Sequence, residues 1–516
     1  MSRKCAFLAL IFLASCSGRE KARLAPAGPE FEPTIAAADT LSRKGCYVAL
    51  KQAVHVYEGL YARPEYRKQI APKLAAAALL LAVREKELGM ANQAYIDTAL
   101  RVIKENRSLS GLTTYAEVAG LFWVQGKGVM RDIDERFPWK ETGDSLKKIE
   151  SDLLVKVRSD EFAAYMYAVM QCYSAPALGV SIYDKKDDLG QLVELFPDSL
   201  LLLYKRAICP EEKPDLLKKL LAAEPEFFEA YYFLGNASLK RGNLLEAEGF
   251  LLKAYEAIAE SPQTTIFLGS IYLATEELER SLEFFEKTLA LSPEYRDALL
   301  GKAICLSYLG RPEEAIAVCQ RIIELGHWLM GESYYWMAWN QHELKDNAAA
   351  GESIEQSKSR LPTSSEVFTL SGTIALERGE LVKAEKDLKE ALQCNPANGE
   401  AMLQLGSLFA QKNDWPNSAT YFEKAGFVYQ DAAAELEAKI ADLAKSELAA
   451  DRKSLLLQRK ARQLEKAVLT KATAFYNAAA GYTNCGQKHK ALELATRSAE
   501  HPAFKQKADE LVSRIK

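Results

Sequence analysis

Between residues 228 and 432 the apolar and small positions return every 34 residues, in two helical stretches separated by a short polar turn. Blocks begin at Phe228, Pro262, Arg296, Gly331, Ser365 and Gly399, with Met330 as a single extra residue before the fourth. The eighth position is small throughout, as Gly235, Gly269, Ala303, Ala338, Gly372 and Gly406, and so is the twentieth, as Ala247, Ser281, Ala315, Ala350, Ala384 and Ser418. Position 24 carries Leu251, Phe285, Cys319, Ile354, Leu388 and Phe422, and position 32 is proline at Pro293, Pro362 and Pro396. Small residues let two helices approach closely, a larger one fills the space between them, and proline ends the second helix. The pattern predicts six helix-turn-helix pairs at 228–261, 262–295, 296–329, 331–364, 365–398 and 399–432.

This constellation, with Leu234-Gly235, Leu268-Gly269 and Leu405-Gly406 at positions 7 and 8, resembles the tetratricopeptide repeat. Departures are modest: Lys302 precedes Ala303, Ser371 precedes Gly372, and the first helix of block four ends without the usual aromatic. The resemblance implies an all-α fold, a TPR-type α-solenoid in which helix-turn-helix repeats wind into a right-handed superhelix. It also implies that the first helix of each pair lines a concave surface through positions 2, 5, 9, 12 and 13. At those places stand Tyr232, Asn236, Ile266, Leu300, Tyr308, Tyr335, Trp339, Leu403 and Tyr476, an apolar and aromatic lining suited to a peptide or helix with apolar anchors. Tyr335 and Trp339, one turn apart, are the leading pair. Position 2 is acidic at Glu229, Asp297, Glu332, Glu366 and Glu400, which the helix dipole accounts for without a ligand. A clamp for C-terminal carboxylates is argued against. Asn236 and Lys240 are present, but Ser270 and Asp297 stand where further Asn and Lys would be needed.

The flanks continue the helical theme. Residues 433–471, rich in Ala, Leu, Glu, Lys and Arg with Leu436, Ile440 and Leu443 on one face, read as an inserted helical hairpin. A seventh copy occupies 472–505, with Phe475, Ala479, Tyr482, Ala491, Ala495 and Ser498 in the repeat positions, and 503–516 reads as a capping helix. Upstream, 37–227 reads as degenerate repeats with turns at Gly45 and Gly89 and a shortened hairpin between Pro197 and Pro225. A loop insertion is expected near 111–150, where Gly126-Lys127-Gly128 leads into Asp132, Asp134, Glu135, Phe137, Pro138 and Trp139.

Residues 1–15 read as an export signal: Arg3 and Lys4 precede an apolar run from Cys5 to Leu13 that is too short to span a bilayer. Leu13-Ala14-Ser15-Cys16 resembles the lipobox of bacterial lipoproteins, which implies a lipidated Cys16 as the mature N-terminus. Pro26, Pro29 and Pro33 with Gly18 and Gly28 make 16–36 the lipidated cysteine and a flexible tether. The expected location is the cell envelope, lipid-anchored, at the outer membrane facing the periplasm.

Lys and Arg total 66 against 70 Asp and Glu, a balance without the basic footprint of a nucleic-acid binder. With 48% hydrophobic and 26% charged residues, the chain can bury a core along most of its length. Cys46, Cys172, Cys209, Cys305, Cys319, Cys394 and Cys485 show no zinc or thioredoxin spacing, and Cys305 with Cys319 is the one disulfide considered. His55, His327, His342, His489 and His501 include no pair at metal-ligand spacing, and no phosphate loop or nucleophile elbow occurs. No cofactor, metal or catalytic residue is therefore expected. The reading is a non-catalytic scaffold that binds proteins and meets the membrane through Cys16. Its rivals are an accessory subunit of a periplasmic solute transporter, a surface adhesin and an enzyme with an unrecognised site in the N-terminal region.

Overall fold

The computed structural model describes residues 31–90, 92–125, 139–174, 186–209, 211–326 and 329–515. The expected signal segment, Cys16, and the residues Gly126 to Gly128 and Asp132 to Pro138 lie outside that range. The chain divides into two compact units, one of residues 1–86 with 92–227 and one of residues 87–91 with 228–516.

In the first unit the opening helix, Glu32–Lys44, takes Pro33 into its first turn, where a missing N–H costs nothing, and ends at Gly45 with φ 69°. The tether expected through residue 36 therefore stops before Glu32. Long helices follow at Tyr47–Tyr61 and Pro64–Glu87. Arg84 is fully buried in this unit. Its Nε donates to the Gly45 carbonyl at 3.2 Å, its Nη1 to the Tyr165 hydroxyl at 2.8 Å, and its guanidinium lies 3.8 Å from the Tyr204 ring centroid. A buried cation survives there because hydrogen bonds and an aromatic face replace its hydration.

The loop expected near 111–150 is corrected: residues Thr113–Gln125 and Trp139–Leu154 are helical. Tyr115, Ala116, Val118 and Ala119 are buried, and that burial holds a glycine-flanked stretch in helix. A second correction concerns the cysteines. The disulfide joins Cys172 to Cys209, with Cα atoms 6.1 Å apart, and Cys305 and Cys319 are free. The two thiols face different neighbours. Cys305 donates to Ser281 Oγ at 3.2 Å, whereas Cys319 packs with Ala303 and Met337.

The second unit is built from paired helices. They are Glu229–Lys240 with Leu244–Ala257, Pro262–Ala274 with Leu278–Leu291, and Arg296–Tyr308 with Pro312–Leu325. Then come Met330–Glu343 with Asn347–Arg360, Ser365–Glu377 with Leu381–Cys394, and Gly399–Gln411 with the long helix Trp415–Lys445. The 35-residue helix Ala450–Asn484 pairs with Lys488–Ala499, and Pro502–Ile515 closes the array.

The repeat positions show why each pair closes. A Cβ at Gly235, Gly269, Gly372 or Gly406 would stand 2.6, 2.9, 2.5 or 2.8 Å from Leu251, Phe285, Leu388 or Phe422, so position 8 is the seat of position 24. Filling these seats removes the larger side chains from water, which stabilises each pair by roughly 2–3 kcal/mol per side chain. Where position 20 is serine, Ser281 and Ser418 donate to the carbonyls of Gly269 and Gly406, both at 2.8 Å. The turn is equally regular. Position 15 has positive φ in all seven pairs, as Gly242, Glu276, Gly310, Lys345, Gly379, Asn413 and Gly486. The next N–H reaches back five residues to an orphan carbonyl, as in Glu277 to Tyr272 at 2.7 Å and Asp346 to Gln341 at 2.9 Å.

The insertion has no helices of its own. Its first arm is the continuation of the sixth pair's second helix and its second arm the start of the seventh pair's first helix, with residues 446–449 between them. Asp414 caps the long helix that carries the first arm by accepting from the Asn417 N–H.

Candidate protein-binding surface

Position 5 of the first helices points toward the neighbouring repeat, and packing decides which of these side chains stays accessible. Tyr232 and Ile266 are each 5% exposed; Tyr232 stacks on Phe267 with centroids 5.8 Å apart. They serve the core between repeats and are not a lining. Leu300 packs half-buried with Leu299, Ile322 and Leu329, and Leu403 packs beside Phe422 and Phe475. Tyr476 lies against Phe504 of the last helix at 5.5 Å. Asn236 is half-buried on the first helix of pair one.

Tyr308, Tyr335 and Trp339 do come together, around a residue the repeat positions did not single out. Trp336 lies edge-on to Tyr308 at 5.5 Å and to Tyr335 at 5.4 Å, and 6.1 Å from Trp339; Tyr335 and Trp339 are 6.4 Å apart. Asn340, one turn on, donates to Trp336 O at 2.6 Å and to Ser307 Oγ at 2.7 Å, which ties the first helices of pairs three and four beneath the rings. Tyr335 and Trp339 pack against Ala338, Ile354 and Val367, whereas Tyr308 is 58% exposed. Burial, and then the charge of Glu276, raise the Tyr308 phenol above its ordinary value. The result is a cluster with a fixed base and one free edge. A partner that covers such a surface gains aromatic contact area with little side-chain entropy left to lose.

Beside this cluster lies an unanticipated contact within the second unit. Arg452, at the start of the insertion's second arm, donates to Glu248 Oε2 at 2.9 Å and to Glu277. Two turns further along the helix Arg459 donates to the Thr275 carbonyl at 2.8 Å, and one turn beyond that Gln463 donates to Glu276. The Glu277, Glu248 and Arg452 side chains are 1%, 10% and 16% exposed, so the pairs replace hydration that has been lost. Burial acts to raise the Glu277 carboxyl, but hydrogen bonds from Arg452 and Thr275 and the Arg452 charge outweigh it and hold the carboxyl below its ordinary value. Arg280 reinforces the site by donating to Glu277 at 3.0 Å and to the Tyr272 hydroxyl at 2.7 Å. Charge pattern was the available signal: Arg452, Lys453, Arg459, Lys460, Arg462 and Lys466 face Glu246, Glu248, Glu276, Glu277 and Glu279 in sign.

Among the described residues no group of His, Cys, Asp or Glu gathers to hold a metal, and no helix is long and apolar enough to cross a membrane.

Family models of the tetratricopeptide repeat match residues 215–262, 272–327 and 369–427. With the seven helix pairs and their shared turn, these matches define the second unit as an all-α solenoid of tetratricopeptide-type repeats, a class of repeat that serves protein–protein interaction. Among individual proteins, the chain is 24% identical over 196 residues to Protein O-mannosyl-transferase TMTC1 of Homo sapiens, covering 37% of this chain and 22% of that one. The match spans less than half the length of the curated relatives found. Two similar solved structures are YrrB, a TPR protein with an unusual peptide-binding site, and pilF of Pseudomonas aeruginosa. The first is 20% identical, covers 39% of this chain and 100% of its own, and has a TM-score of 0.32; the second is 22% identical, covers 41% and 99%, and has a TM-score of 0.35.

Proposed function

We propose that this protein is a lipid-anchored, non-catalytic scaffold of the bacterial cell envelope. In this reading it holds a peptide or helix of a partner protein on the first-helix face of repeats three and four, so as to assemble an envelope, secretion or transport complex. The observation that carries the reading is the cluster of Tyr308, Tyr335, Trp336 and Trp339, whose rigid base and 58% exposed Tyr308 offer aromatic area to a partner. The anchor is read from Leu13-Ala14-Ser15-Cys16, and two or three acyl chains on Cys16 would hold the protein durably. The Cys172–Cys209 disulfide supports an oxidising compartment, where such bonds persist.

The test is crosslinking and affinity purification from native membranes, comparing the wild type with a Tyr308→Ala, Trp339→Ala double variant of unchanged helicity. Loss of specific partners in the variant supports the aromatic site; retention of the same partners rejects it. A Cys16→Ser variant should leave the membrane fraction, and if it does not, the anchor is elsewhere.

A further inference from the structure

In a solenoid each repeat ordinarily touches its neighbours alone. The hairpin breaks that rule, because Arg452 meets Glu277 and Glu248 across 175 and 204 residues of chain. Its footing is the turn edge of repeats one and two: Glu248 in the opening of one second helix, and Thr275, Glu276 and Glu277 at the next turn.

The hairpin side of this contact is one stripe of a helix. Arg452, Arg459 and Gln463 make the contact at i, i+7 and i+11, and Leu456, 7% exposed, falls on the same helical face by its spacing at i+4. The receiving side offers what such a stripe needs, namely two buried carboxylates for one guanidinium, an accessible backbone carbonyl for a second, and a carboxylate for an amide. The Tyr272 ring stands 5.9 Å from the Arg452 guanidinium. Glu276 holds the left-handed turn position common to all seven pairs, at φ 59°, and its carboxylate accepts from Gln463. The same carboxylate lies within electrostatic reach of Tyr308, so the footing and the aromatic cluster adjoin. The contacts that hold the hairpin here are polar and ion-paired.

We propose that the turn edge of repeats one and two is a recognition site for a helix bearing arginine at i and i+7 with a leucine between them. In this chain the hairpin occupies the site in cis, so a partner helix of that chemistry binds only when the hairpin lifts. This deepens the scaffold reading by naming the partner's chemistry, and it rests on that reading only for the supposition that partners are proteins. The tethered hairpin competes at high effective concentration, so the free site is a small fraction of the population, and external affinity falls by that fraction.

The probe is a fluorescent peptide of residues 450–471, held helical by a staple between positions 454 and 458, both on the exposed face. Full-length wild type should bind it weakly, and an Arg452→Ala, Arg459→Ala variant should bind it roughly ten-fold more tightly or better, because cis competition is weakened. Adding Glu248→Gln and Glu277→Gln to that variant should abolish binding. Equal affinity for wild type and the Arg variant, or binding indifferent to the Glu changes, overturns the proposal. Closure is tested separately with Gln463→Lys, which a zero-length carbodiimide should couple to Glu276 within one chain; absence of that crosslink also overturns it. Tyr308→Ala, Trp339→Ala should leave peptide binding unchanged, so failure of the aromatic site and failure of this one are read apart.

Discussion

Arg452 donates to Glu248 at 2.9 Å although 204 residues separate them, and it holds Glu277 with the same guanidinium. An array in which stability ordinarily adds up repeat by repeat is thereby given a long-range restraint, between its first two repeats and the hairpin that precedes its last.

That restraint is pH-dependent. The Glu277 carboxyl is held below its ordinary value of 4.5: burial alone would raise it, and the hydrogen bonds and charge of Arg452 prevail. A carboxylate depressed in the folded state stabilises fully above its unfolded pKa and ceases to do so as pH falls through the folded value. Hairpin attachment should be complete at neutral pH and weaken as pH drops below about 4.5. Amide exchange of residues 450–463, corrected for intrinsic rates, should rise in that window. The rise should be smaller in Glu277→Gln, where attachment is already weak at neutral pH.

Phe285 tests the close-packed seats. Its ring would lie 2.9 Å from a Cβ at Gly269 and 2.3 Å from one at Gly301, so it is gripped by its own repeat and the next. Gly301→Ala should cost about 1–3 kcal/mol by overpacking, and Phe285→Ala about 3–5 kcal/mol by leaving a cavity. Urea denaturation followed by circular dichroism measures both.

The shared turn makes a paired prediction with opposite signs. Gly379 and Lys345 occupy the same turn position with φ 75° and 65°, and a Cβ at Gly379 meets nothing within 4 Å. Gly379→Ala should therefore lose roughly 1 kcal/mol through backbone strain alone. Lys345→Gly should gain up to about 1 kcal/mol, since relief of strain exceeds the entropy that glycine restores to the unfolded chain. Thermal melts of the two single variants decide.

The cysteines should divide into three kinds. Burial pushes the Cys305 thiol up to about 11 and Cys319 up to about 12, so neither offers thiolate near neutrality. Maleimide should label the half-buried Cys394 and Cys485 in the native chain, and Cys305 and Cys319 only on unfolding. Cys172→Ser, Cys209→Ser should cost about 2–4 kcal/mol, read as a lower denaturation midpoint.

Much of the repeat was legible because it is local. Position 8 and position 24 lie 16 residues apart in one helix pair, and Gly269 beside Phe285 follows from their spacing as soon as the pair is assumed. The common turn was equally available, yet Glu276, Lys345 and Asn413 hid it, because glycine is the usual mark of positive φ and three repeats do without it. The site was half legible. Tyr308, Tyr335 and Trp339 stand at lining positions, but Trp336, which joins them, sits one place outside. Tyr232 and Ile266 stand at lining positions too and are buried, because exposure depends on how far each repeat turns upon the next.

The sequence by itself determined the period, the helix pairs, the small residues on which they close and the candidate aromatic side chains, all matters of spacing within about one repeat. Tertiary structure alone decided that Cys172 pairs with Cys209, that an apolar stretch after Leu112 is helix, and that Arg452 returns to Glu248 and Glu277. The first two rest on packing within the first unit, where no clear repeat guides the reading; the return of Arg452 depends on the summed rotation of several repeats and on the course of two long continuous helices. A small change at each junction moves the distant end by more than the reach of a side chain, so no short-range pattern encodes where it will land.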